Sequence, residues 1–376
     1  MILLVTEYLF MRKKTLLLVI YVIVAGTFTG SSQSLQPGFN KAEYIEMMRI
    51  SARTTADSFY YNKIEAPQSF RMIYESAVMG LDNLWQLWIK GNETAVISVR
   101  GTTEKTESWL ANFYAAMIPA KGELKITSNE TFKYDLADNP RAAVHIGWLL
   151  STGFLSKDIV PKIDSLYKQG IKNFIIMGHS QGGAIACLLT SHLYRLCQQK
   201  LLPSDICFKT YCSAAPKPGN LYFAYHYEAI TQNGWSFNVV NELDWVPETP
   251  VTVQTLDDYN EVNPFIHAKS IIKKQKFPKS LVLRHVYNQL DKPTKKARKR
   301  YQRYLGRYLS KEIKKYLKDY EAPVYYNSNH YVRAGNTIVL KADENYYRLF
   351  PQDKDKIFVN HFHQPYIYLA ETLTTE

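Results

Sequence analysis

The feature that most constrains this chain is the pentapeptide Gly178-His179-Ser180-Gln181-Gly182, set between an apolar run, Ile171 to Met177, and a long apolar stretch, Gly183 to Gln198. A serine at the tip of so tight a strand-to-helix turn must adopt a strained backbone. Side chains at the flanking glycines would run into the strand or the helix. The pattern therefore asks for a short buried strand, a sharp turn and a helix, with the Ser180 hydroxyl at the apex.

A serine hydroxyl is a weak nucleophile until a base takes its proton, so such a site needs a histidine and a carboxylate that holds the histidine in the right tautomer. On a scaffold of this kind they follow in the order serine, acid, histidine. Asp244, in Asn241-Glu242-Leu243-Asp244-Trp245-Val246-Pro247, comes directly after a predicted strand, Ser236 to Val240, which is where the acid belongs; Glu242 is its competitor. Near the C-terminus, His361-Phe362-His363-Gln364-Pro365-Tyr366 offers two histidines ahead of a predicted helix, and residue order does not separate them. His179 belongs to the turn itself and His192 to the helix after it. No His, Asp or Glu group has the spacing of a metal site, so neither a metal nor a cofactor is expected.

The surrounding pattern fits an α/β architecture. Lys41 to Thr54 has helical spacing, three β-rich runs follow (Phe70 to Glu75, Leu84 to Lys90, Thr94 to Val99), and Ser108 to Ile118 and Gly147 to Lys168 read as helices, the second kinked or restarted at Pro161. A strand at Cys207 to Ser213 and a helix at Leu221 to Thr231 continue the alternation beyond the pentapeptide. Alternation of this sort predicts a mainly parallel sheet covered by helices on both faces. With 46% hydrophobic residues in 376, the chain has enough apolar side chains for a substantial core.

Five pieces in this order resemble the class 3, or fungal-type, lipase family of the α/β-hydrolase superfamily: Val99-Arg100-Gly101-Thr102, Val144-His145-Ile146-Gly147-Trp148, Gly178 to Gly183, Pro218-Gly219-Asn220, and Asp244-Trp245-Val246-Pro247. The resemblance spans most of Phe39 to Leu369, apart from the stretch from Glu248 to Lys341. It implies a single α/β-hydrolase domain from residue 35 to 376 with an insertion at about 248–341. It also implies a serine esterase acting on lipid esters, acylglycerols above all, through an acyl-enzyme. A phospholipase or acyltransferase on the same scaffold is the neighbouring alternative, and a catalytically silent lipid- or anionic-polymer-binding protein is the alternative of another class. The resemblance further implies an oxyanion hole formed by the backbone N–H groups of Thr102 and Gln181, and a structural role for His145. In that family a tyrosine commonly stands three residues after the catalytic histidine, which Tyr366 provides for His363, so His363 is the expected base.

Three further features bear on where such a protein works. Met11-Arg12-Lys13-Lys14, the apolar run Thr15 to Phe28 and the small residues to Ser34 have the order of an export signal, with an uncleaved membrane anchor as the alternative. Cys187, Cys197, Cys207 and Cys212 read as buried thiols, Cys197 and Cys207 being the pair to test for a disulfide. The formal charge of +12 is concentrated between Lys269 and Lys318, where eighteen Lys and Arg face two acids, leaving the rest of the chain slightly acidic. Within that segment Tyr301, Tyr304, Leu305, Tyr308, Leu309, Ile313, Tyr316, Leu317 and Tyr320 recur at helical steps among the bases. The amphipathic helix so predicted either packs its Tyr/Leu face on the core or meets an anionic membrane surface, nucleic acid being the less favoured partner.

Overall fold

A computed structural model describes residues 35–55 and 57–374. The expected export segment lies outside them. Among the described residues no helix is long and apolar enough to cross a membrane.

The strands are β1 (Arg71–Glu75), β2 (Trp85–Lys90), β3 (Thr94–Val99), β4 (Met117–Pro119), β5 (Lys121–Thr127), β6 (Glu130–Asp135), β7 (Ala143–His145), β8 (Asn173–His179), β9 (Cys207–Ser213), β10 (Gly219–Asn220), β11 (Ser236–Asn241), β12 (Tyr331–Val332) and β13 (Asn336–Leu340). Seven of them form the main sheet in the order β1-β2-β3-β8-β9-β11-β13. From β3 to β13 every pairing is parallel, and β1 and β2 add an antiparallel edge. The central strands β3 and β8 are buried almost throughout, which is why they read as continuous apolar runs rather than alternating ones. This is a mixed, mainly parallel sheet with helices packed on it, an α/β-hydrolase arrangement.

Parallel strands all end at one edge of a sheet, and loops at the carboxyl ends of such strands are where open α/β folds build their sites. Here Thr102 follows β3, Ser180 follows β8, and Asp244 follows β11. The sheet therefore brings together residues 142 positions apart in sequence before any side-chain chemistry is considered.

Several elements differ from the sequence reading. The helix expected over Ser108 to Ile118 runs from Thr106 to Phe113 and gives way to β4, because that segment instead pairs with β7 in a second sheet. The helix Ile146–Lys168 passes through Pro161 without a break. Two segments near the end of the expected insertion belong to the sheets: Tyr331–Val332 pairs with β10, and β13 lies parallel to β11. All four cysteines are free, Cys187 and Cys212 buried and the other two partly so.

The basic segment forms a helix Lys279–Gln302, a π-helical stretch Arg303–Tyr308 and a helix Leu309–Tyr316. Gly306 sits where this rod presses on the core, a Cβ there coming within 3.0 Å of Ala116 and of the Tyr325 ring. Beside it the Leu305 carbonyl accepts the Ala116 N–H at 3.1 Å. Ile313 and Tyr320 are fully buried, and the Tyr114 hydroxyl meets those of Tyr320 (2.9 Å) and Tyr325 (3.0 Å). The C-terminal half of the segment thus covers the core, while Tyr304, Tyr308 and Tyr316 remain exposed.

Candidate active site

Ser180 occupies the left-handed region (φ 59°, ψ −131°) between β8 and the helix Gln181–Gln198. A non-glycine residue held there costs on the order of 1–3 kcal/mol unless its surroundings over-determine it. They do. The Ser180 N–H donates to the Ser213 carbonyl of β9 at 2.9 Å. A Cβ on Gly178 would strike the Gly182 carbonyl and one on Gly182 the Val99 carbonyl, so neither position admits a side chain.

The acid is built into the loop after β11. One oxygen of Asp244 accepts the Val246 N–H at 3.0 Å, and the other accepts the Tyr366 hydroxyl at 2.8 Å and Nδ1 of His361 at 2.7 Å. Because a carboxylate only accepts, Nδ1 of His361 carries the hydrogen, and Nε2 is left without a partner among the described residues. Ser180 and His361 line the same cleft. Glu242, the competing acid, instead accepts the Ala342 N–H at the far side of the loop.

The structure therefore corrects the expectation for His363. Both of its ring nitrogens are occupied, Nδ1 by the Tyr60 hydroxyl at 2.8 Å and Nε2 by Ser51 Oγ at 3.2 Å, and neither meets Asp244. Burial, with the neighbouring His361 adding to it, lowers its pKa to about 3, so it stays neutral. The physical reason is local. His363 is the first residue of the helix His363–Thr372 and turns in toward the helix Lys41–Ala52, whereas His361 lies in the preceding loop. That loop is tied to the acid loop: Asn241 donates to the Asn360 carbonyl (3.0 Å), Asn360 to the Leu243 carbonyl (3.2 Å), and the Trp245 indole to the Ile357 carbonyl (2.8 Å). Tyr366, which pointed to His363 by spacing, bonds the carboxylate that holds His361.

His179 stiffens the same assembly. Its Nε2–H donates to the His361 carbonyl at 2.7 Å, which leaves Nδ1 to accept from the Ser213 hydroxyl at 3.1 Å. Ser213 in turn takes the Tyr44 hydroxyl at 2.7 Å. Burial first, then His363 and His361, hold the His179 pKa well below its ordinary value. It serves as a neutral strut from the elbow to the histidine loop.

Across the cleft, a chain of bonds fixes Thr102. The Trp148 indole can only donate, so the Asn112 atom facing it at 3.0 Å is the oxygen, and the Asn112 amide nitrogen faces Thr102 Oγ1 at 2.9 Å. Thr102 Oγ1 accepts that bond and keeps its own hydrogen to donate. His145 anchors the other side of Asn112, its Nε2–H meeting the Asn112 carbonyl at 3.1 Å and its ring stacked on Trp148. Burial lowers its pKa to about 3, in keeping with a structural role. Gln181, first in its helix, has a backbone N–H with no intrahelical acceptor, and its side chain is pinned to the Ser108 carbonyl at 3.1 Å. Beneath Thr102, buried Asp82 accepts Thr103 (2.6 Å) and Lys105 (2.8 Å) and pairs with Arg100 (3.1 Å). Burial pushes the Asp82 carboxyl up, yet those partners outweigh it and hold the group below its ordinary value.

The cleft encloses about 1040 Å³, and beyond the polar cluster its walls are apolar, with Trp109, Phe113, Val251, Leu305, Phe358 and Phe362 among them. Sequence reasoning missed Asn112, Asn360 and Asp82, and none lies in a motif that would have marked it. Tyr366 was read for its spacing and not for its bond to Asp244.

Comparison with known proteins adds the following. Residues 96–254 match the family described as lipase (class 3). Among solved structures, the triacylglyceride lipase of Rhizomucor miehei is 22% identical over 57% of this chain and 77% of its own, with a TM-score of 0.42. A lipase from Rhizopus microsporus var. chinensis is 22% identical over 56% and 69%, with a TM-score of 0.39. No curated protein sequence matches the chain.

Proposed function

Since residues 96–254 match the class 3 lipase family, we propose that the chain hydrolyses carboxylic esters of lipids by way of an acyl-enzyme on Ser180, with His361 as the base and Asp244 as its partner. The observation that carries the reading is the 2.7 Å bond between His361 and Asp244 in the cleft that Ser180 also lines.

His361 Nε2 takes the Ser180 proton as the alkoxide attacks the ester carbonyl. The carbonyl oxygen, now negative, meets the N–H groups of Thr102 and Gln181 and the Thr102 hydroxyl, whose hydrogen has no acceptor among the described residues. Fixed donors of this kind contribute most because they need no reorganisation when the charge appears. Asp244 stabilises the imidazolium formed on His361, which then protonates the departing alcohol. Water, deprotonated by the same Nε2, releases the fatty acid and restores Ser180.

The apolar cleft walls suit an acyl chain, and acylglycerols are the substrate class we favour. We further propose that the segment Met11 to Ser34 directs the protein out of the cytoplasm.

A fluorophosphonate that reacts with activated serines tests the chemistry. Peptide mapping should find the adduct on Ser180, and Ser180→Ala should abolish both labelling and p-nitrophenyl ester hydrolysis. Labelling elsewhere, or activity retained by a rigorously purified Ser180→Ala protein, would overturn the assignment.

A further inference from the structure

The helix Lys279–Gln302 buries charged side chains on one face and exposes aliphatic ones on the other. Its inward face carries Asp291 and Arg298, both buried, and Arg298 pairs with Asp257 at 2.9 Å while Lys295 reaches Asp257 and Asp291. On its outward face Val282, Val286 and Leu290, one turn apart and therefore aligned, are half or more exposed. Phe277 at the turn that leads into the helix is 80% exposed, and Ile271 is exposed on the short preceding helix Ala268–Lys273. A patch of aliphatic side chains on solvent-facing helix surface signals a missing partner.

The charges around the patch say which partner. Between residues 268 and 290 there are six basic residues, Lys269, Lys273, Lys274, Lys276, Lys279 and Arg284, and no acid. All six are exposed, and none forms an ion pair among the described residues. A second copy docking through the same patch would bring these charges against themselves. Nucleic acid would satisfy the lysines but leave the aliphatic groups in water. A surface that offers anionic headgroups above hydrocarbon satisfies both.

We propose that the helical pair 268–290 is a membrane-docking element that seats Phe277 and the Val282–Leu290 face in the acyl boundary of an anionic bilayer. The sequence reading spread this contact over Lys269 to Lys318; we place it in the first half, where exposed aliphatic residues accompany the exposed bases, whereas Ile313 and Tyr320 of the second half are buried in the core and Arg298 is committed to Asp257. Docking is independent of the chemistry at Ser180 and is read without it.

The test uses full-length protein in a Ser180→Ala background, so that vesicles survive the assay. Flotation with phosphatidylglycerol/phosphatidylcholine vesicles should weaken by on the order of tenfold for each of Phe277→Ser and Leu290→Ser. At low salt it should weaken by about fivefold per lysine in a Lys273→Gln, Lys274→Gln, Lys276→Gln variant, with little change on pure phosphatidylcholine. An environment-sensitive fluorophore on Phe277→Cys, corrected for label on the parent chain, should shift to the blue on anionic vesicles. An unshifted fluorophore overturns the proposal even if the protein floats, since another segment would then be holding it. A blue shift or equal retention on RNA, or a salt-dependent dimer that hides the label, would overturn it in favour of those partners.

Discussion

Acid should destabilise this protein through histidines that fold neutral, and His192 isolates the effect. It lies on the helix after Ser180, outside the cleft, packed edge-on to Phe132 with ring centroids 5.1 Å apart, and its Nδ1 has no partner among the described residues. Burial lowers its pKa from 6.5 to about 4. Below 6.5 the unfolded chain therefore takes up a proton that the folded chain refuses until about pH 4. The neutral-ring contribution is complete above pH 6.5 and lost as pH falls through that window, at about 1.4 kcal/mol per pH unit. Between pH 7 and pH 4.5 the loss from this one ring is roughly 2 kcal/mol. His145 and His363, both lowered to about 3, add losses of the same sign. In His192→Leu the ring and its unpaired nitrogen are gone. Urea unfolding followed by circular dichroism at the two pH values should show the parent losing about 2 kcal/mol more than the variant. Equal losses would refute the reasoning, since they would mean that His192 protonates as readily in the folded state as in the unfolded one.

Two substitutions examine the supports of the site. Thr102→Val keeps the backbone donor and removes the hydroxyl that Asn112 orients, so kcat on a soluble ester should fall by on the order of 10²-fold with KM little changed; an unchanged kcat would remove the hydroxyl from the oxyanion hole. Tyr366→Phe takes one of three hydrogen bonds from the buried Asp244 carboxylate, which should lower folding stability by about 1.5–3 kcal/mol in urea titration; an unchanged midpoint would contradict the bond's importance.

The parallel centre of the sheet and the position of the elbow were legible because buried strands and a glycine-flanked serine leave strong local marks. Residues 171 to 198 show this well: an apolar run, two glycines that admit no Cβ, and an apolar helix. What stayed hidden depends on contacts between distant segments. β4 looked like the end of a helix because its partner β7 lies 24 residues further on, and β13 was lost at the end of the stretch from Glu248 to Lys341, which the family resemblance did not cover. The choice between His361 and His363 turns on which of them begins a helix. Two residues of difference sends one ring to Asp244 and the other to Ser51 and Tyr60, and no spacing rule contains those partners. Asn112 shows the same limit, since its task is set by Trp148 and Thr102 from two other elements.

The most direct test of the account compares His361→Ala with His363→Ala on a soluble p-nitrophenyl ester, at a temperature where circular dichroism shows both variants folded. The account predicts that His361→Ala loses kcat by on the order of 10⁴-fold or more, as expected when one member of a catalytic unit is removed. His363→Ala should keep most of its turnover, since its ring nitrogens are spent on Tyr60 and Ser51. A silent His363→Ala beside a nearly normal His361→Ala would contradict the assignment of the base and with it the geometry on which the mechanism stands.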